Sequence, residues 1–198
     1  MKLHRTRSLV RPLTLALALT GAPALGLAVS SATAAPAVAA PYCGIEWGSL
    51  TKSWTQTTTA SITDVRSGRH TCFDRLVIDL SGTDRRSGYV VKYVSNVLAQ
   101  GSGAIVPLRG GAKLSITVHA PAYNSTGRPT YTPTKRTELV NTTGYSTFRQ
   151  VSWGGSFEGQ TTIGLGVRAR LPFRVFTLAG APNGGHGSRV VIDVAHRW

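Results

Sequence analysis

Apolar and polar residues alternate in short runs along the chain, each run closed by Gly, Pro, Asn or Ser. A period of two over several residues predicts strands with one buried face. "AKLSITVHA" (112–120) shows it most clearly, with Leu114, Ile116 and Val118 inward and Lys113, Ser115, Thr117 and His119 outward. "RLVIDL" (75–80) sets Leu76, Ile78 and Leu80 against Val77 and Asp79, and "SGYVVKYV" (87–94) sets Tyr89, Val91 and Tyr93 against Val90, Lys92 and Val94. "SITDV" (61–65), "FRQVSW" (148–153), "QTTIGLGVRA" (160–169), "FRVFTL" (173–178) and "RVVIDVAHRW" (189–198) follow the same pattern. About eight or nine short strands with turn signals between them predict an all-β sandwich or barrel. Two stretches lack the pattern. Thr51–Ala60 reads as a Thr-rich, loose lead-in, and 121–145 as a long polar loop with three prolines. Long loops in compact domains are often functional or mobile.

"DRLVIDLSG" and "SRVVIDVAH" share Arg75/Arg189, Val77/Val191, Ile78/Ile192 and Asp79/Asp193 in register. Two equivalent strands, one in each of two sheets, with the aspartate on the less buried face, is one reading. Convergent strand composition is the other.

The first forty residues differ. Lys2, Arg5, Arg7 and Arg11 precede a Leu- and Ala-rich run, which gives way to small residues ending in "ATA" or "AVA". This order predicts a secretory signal peptide over residues 1–40, cut after Ala34 or Ala39. Gly21, Pro23 and Gly26 interrupt the apolar run, which argues against a membrane anchor. No membrane span is expected after cleavage. The expected location is extracellular, with cell-wall association possible. Residues 41–60 form the lead-in and 61–198 the β domain.

In an exported chain, two cysteines predict a disulfide, so Cys43 and Cys72 are expected to close a loop of about 30 residues. Four of the 22 Lys and Arg fall in the first forty residues, leaving 18 against 8 acidic residues. Outside a cell, such a surface suits wall polymers and lipid head groups better than nucleic acid, which is not expected as a partner. An arginine-rich composition gives the same balance without any ligand.

Candidate chemistry is sparse. His70, His119, His186 and His196 lie outside ligand spacing of one another, and no zinc, P-loop or nucleophile-elbow motif occurs. No metal, cofactor or catalytic residue is expected, and Asp74, Asp79, Asp193 and Glu158 are read as partners of nearby arginines. "ARLPFRVF" (169–176) interleaves arginine with aromatic rings: Phe173 shares a face with Val175 and Thr177, while Arg174, Phe176 and Leu178 share the other. Phe173 and Phe176 are read as packing residues, leaving Arg168, Arg170 and Arg174 as candidates for an anionic ligand. Trp153 and Tyr93 lie in strand patterns and are read as core. Tyr123 and Tyr131, in the long loop, are candidate sugar-stacking rings.

"VRSGRHTCFDRLVIDLSG", "GYVVKYV", "GSGAIVPLRGGAKLSITVHAPAY", "RPTY", "FEGQTTIGLGVRARLPFRVFTL" and "RVVIDVAHRW" together resemble the AMIN-like domain proteins, exported proteins and lipoproteins of actinobacteria such as streptomycetes. The resemblance covers nearly all of 62–198, and "CGIEWGSL" is similar to a streptomycete variant with a cysteine pair. It implies a sandwich of two small sheets and, through the related AMIN domain of wall amidases, binding to peptidoglycan. Lipid anchoring does not carry over, because Cys43 follows "APY" and not a lipobox. Arg69, His70, Asp74, Arg75, Arg170 and Arg174 match the family blocks and are the first ligand candidates. In "RHTCFDRLVIDL" (69–80), Cys72 is then stapled to Cys43, Asp74 pairs with an arginine, and His70 alone keeps a free functional role. The expected function is a non-catalytic wall-binding module holding glycan or anionic wall polymer. The alternatives are an interaction or inhibitor protein using the 121–145 loop, or a secreted enzyme using His70.

Overall fold

The computed structural model describes residues 40–83, 87–181 and 187–198, and the expected signal peptide, apart from Ala40, lies outside them. A 3-10 turn at Tyr42–Gly44 precedes β1 (Lys52–Trp54), β2 (Ile62–Arg69), β3 (Phe73–Leu80), β4 (Tyr89–Val94), β5 (Val97–Leu98) and β6 (Ile105–Val106). There follow β7 (Ala112–Val118), β8 (Phe148–Phe157), β9 (Gln160–Val167), β10 (Phe173–Leu178) and β11 (Arg189–Ala195). One antiparallel sheet runs β1-β4-β7-β9-β8 and the other β10-β11-β3-β2, with β5 and β6 forming a small separate hairpin.

A single buried cluster draws on both sheets, which makes the domain a sandwich. Leu114, Ile116 and Val118 of β7 and Ile163, Leu165 and Val167 of β9 meet Leu76, Ile78 and Leu80 of β3 and Val190, Ile192 and Val194 of β11. Each such side chain, fully buried, contributes roughly 1.5–3 kcal/mol. The alternation in the sequence therefore sets the faces correctly.

Three features depart from the sequence reading. The lead-in is partly ordered as β1, whose Lys52, Ser53 and Trp54 pair with Val91, Val90 and Tyr89 at the edge of the larger sheet. The two echoed strands do not sit in separate sheets: β11 and β3 are antiparallel neighbours, with Arg189 opposite Asp79 and Asp193 opposite Arg75. In antiparallel pairing, a repeated Arg-x-x-x-Asp brings each arginine across from the other strand's aspartate. This makes the echo a cross-strand charge code.

The 121–147 connection contains no assigned strand, yet it is tied down at many points. Ser61 donates to the Tyr123 carbonyl at 2.8 Å, Thr130 to the Ile62 carbonyl at 2.8 Å, and the Trp153 amide to the Arg136 carbonyl at 2.7 Å. These bonds link β2 of one sheet to β8 of the other. On the larger sheet, Gly166 lets the 105–110 segment cross β9, since a Cβ there would stand 1.9 Å from the Arg109 carbonyl oxygen.

Candidate functional site

Alternation places Arg75, Arg174 and Asp193 on the outer face of the smaller sheet, adjacent across three strands. Asp193 accepts from Arg75 Nε at 2.6 Å and Nη2 at 2.9 Å, and from Arg174 Nε at 2.8 Å. Its side chain has no exposure although it faces outward. The two guanidiniums and the rings beneath them cover it: Arg75 lies 5.1 Å from Phe73 and 5.5 Å from Phe176, and Arg174 lies 5.6 Å from Trp47. Cation–π contacts and forked carboxylate bonds use one side chain in both roles. Arg75 and Arg174, candidates for ligand contact, are thus built into the scaffold. Phe176 is half-buried under the arginines, while Phe173 is fully buried. Arg170 stays exposed, with its guanidinium 4.8 Å over Tyr93 and donating to the Ser49 carbonyl.

Asp74 faces the interior and does not pair with an arginine, contrary to the sequence reading. Its Oδ2 accepts from the Thr147 amide at 2.5 Å and the Phe148 amide at 3.1 Å, and Oδ1 lies 3.1 Å from His196 Nε2. The reason is strand parity: Arg75 is its neighbour in sequence and points to the opposite face. Cys72 is bonded to Cys43. His70 is exposed and stacks on Phe73 with 4.5 Å between centroids. Arg69 and His70 line an open depression of about 630 Å³ with Ser146 and His196. Arg168 donates to the His196 carbonyl.

A separate groove of about 680 Å³ lies between the start of the long connection and the end of β8. Tyr123, Tyr131, Trp153 and Phe157 line it, together with Arg136 and Ser156. The groove thus collects both loop tyrosines singled out in the sequence. Tyr131 and Trp153 pack at 5.5 Å and 55°, and the Tyr123 hydroxyl accepts from the Gly159 amide at 3.1 Å. Burial raises the Tyr131 phenol above its ordinary value, and nearby Asp64 adds to the effect, so the ring stays neutral. Phe157 is 51% exposed. Trp153, read as core from the strand pattern, packs half-buried against the core and at the same time lines the groove. The Gly154-Gly155 pair that follows it is the signal that β8 bends here, and the register shifts between Trp153 and Ser156.

Rings, hydroxyls and one guanidinium line the groove, and its lining contains no carboxylate, imidazole or thiol. It can bind by stacking and hydrogen bonding.

A family model for the AMIN-like domain matches residues 60–196. The chain belongs to the AMIN-like domain family. The match spans β2 to β11, so the groove, the depression and the buried arginine–aspartate cluster all lie within the AMIN-like domain. Among curated proteins and among solved structures, nothing matches the chain. Family membership and the disulfide together point to the cell envelope.

Proposed function

We propose that this AMIN-like protein is a non-catalytic module that attaches to the cell wall by seating peptidoglycan glycan in the Tyr123–Tyr131–Trp153 groove. The observation that carries the reading is the groove lining: four aromatic side chains with hydroxyls among them and no carboxylate, imidazole or thiol. Sugar rings present flat C–H faces to aromatic planes and hydroxyls to polar groups, and a largely preformed concave site lowers the ordering cost of binding. The cationic surface adds attraction to an acidic wall, in the manner of long-range steering.

The test is co-sedimentation of the exported protein with purified sacculi, before and after anionic polymers are stripped. Retention after stripping that falls at least tenfold in Trp153→Ala and in Phe157→Ala supports the groove. Phe157 is half-exposed, so its loss leaves the fold intact. Retention equal to that of the parent in both variants refutes the assignment, as does release of wall fragments by the protein.

A further inference from the structure

The depression at the disulfide end of the sandwich carries a different chemistry. Three arginines hold the backbone around it. Arg69 donates to the Gly144 carbonyl at 3.3 Å, Arg149 to the Ser146 carbonyl at 3.4 Å, and Arg168 to the His196 carbonyl. Gly144, Ser146 and His196 all line the depression, as do Arg69 and His70. Among the described residues, no ion pair joins these three arginines to a carboxylate, unlike Arg66, Arg75, Arg109 and Arg174. Arg149 commits both terminal nitrogens to the Tyr145, Phe148 and Ser146 carbonyls. Arg69, which lines the depression itself, spends one bond on a carbonyl and keeps the rest of its five-donor fork.

The one carboxylate behind the depression is Asp74, with 1% side-chain exposure. Its oxygens are engaged by two backbone amides and His196 Nε2. With Nε2 engaged by Asp74, Nδ1 is the remaining ring nitrogen of His196, a residue that borders the depression. His70 is fixed in place by its stack on Phe73. Cationic and imidazole groups thus approach one open bowl from β2, from the turn after it and from the chain's last residues.

We infer that this depression is a phosphate-binding site, suited to a phosphodiester borne on a polymer chain. Groups converging from several sides match a tetrahedral anion with several oxygens better than a planar carboxylate, and charge-assisted bonds from arginine favour such oxygens. The inference stands apart from the glycan groove, with which the depression shares no lining residue.

Titration calorimetry at low salt tests it, with inorganic phosphate and short poly(glycerol phosphate) as ligands and dextran as the neutral control. Saturable binding of a phosphate ligand that weakens tenfold or more in Arg69→Gln, and also in His70→Phe, is expected. The phenylalanine preserves the stack on Phe73 while removing both ring nitrogens. Phosphate displacing the polymer identifies a site for a single phosphate group, whereas binding of the polymer alone identifies a site reading the chain. Affinity should fall steeply with added salt. Failure of both phosphate ligands to bind saturably overturns the proposal, as do parental affinities in both variants. Loss of phosphate binding in Phe157→Ala overturns it too, because it moves the ligand to the groove.

Discussion

Replacing Asp193 with asparagine keeps the size of the side chain and removes its charge from between Arg75 and Arg174. Three charge-assisted bonds, at 2.6, 2.9 and 2.8 Å, converge on this carboxylate. At roughly 1.5–3 kcal/mol each they would total far more than any single substitution usually costs, but bonds sharing one acceptor are not additive. Two corrections lower the figure. The arginine side chains keep 25% and 32% exposure, so water can reach part of each guanidinium, and asparagine still offers one carbonyl oxygen. Losing one partner of a buried ion pair costs about 3–5 kcal/mol. The lower part of that range applies here, about 3–4 kcal/mol. For a domain of this size, each kcal/mol corresponds to about 2–4 °C in Tm. Urea unfolding, with the midpoint and slope fitted together, measures the loss. The double variant Arg174→Met/Asp193→Asn should regain at least about 1 kcal/mol over Asp193→Asn, because it removes the repulsion between two uncompensated cations. A loss below about 1 kcal/mol in Asp193→Asn, or no recovery in the double variant, refutes the view that this carboxylate holds the outer face together.

Substituting Cys43 and Cys72 by serine opens a loop with a sequence separation of 29, and urea unfolding should show a loss of roughly 3–4 kcal/mol. The oxidised parent should show no reactive thiol in a denaturing thiol assay. Tyr93→Phe removes a hydroxyl that donates to the Leu171 carbonyl at 2.7 Å and accepts from the Leu171 amide at 3.0 Å. The orphaned backbone groups should cost about 1–3 kcal/mol in the same unfolding measurement. Gly166→Ala should displace the 105–110 segment and lower Tm, with amide exchange rising in that segment before the core. Burial raises the Tyr89, Tyr93 and Tyr131 phenols above the ordinary value of 10.0. Because the folded state holds these protons more tightly, their contribution is intact below pH 10 and is lost as pH rises through the folded values. Alkaline unfolding should therefore begin above about pH 10, with part of the phenolate absorbance appearing only as the fold opens.

Period-two patterning located the main strands and their buried faces, because Leu114–Val118 and Leu76–Leu80 satisfy a core on one side only. It missed β1, β5 and β6, which are two or three residues long and too short to display a period. The pairing of echoed strands could not be read either, since Arg75 and Asp193 become neighbours only through topology. Proximity in the chain points Asp74 to an arginine, whereas the amides it serves lie more than seventy residues away. Tyr123 and Tyr131 were visible as aromatic residues in a polar loop. Trp153 was masked because the strand pattern does not reveal that β8 bends beside it.

The stitching along the margins of both sheets bears on how this protein can associate. The outer strand β8 is occupied by backbone bonds from 136–139, β10 meets Gly48, and β1 is only three residues long. Unpaired margins are what let β proteins recruit foreign strands or one another into ribbons. Covering β8 and keeping β1 short leaves the larger sheet little margin to recruit a strand, so crowding in a polymer layer need not turn that sheet into a ribbon.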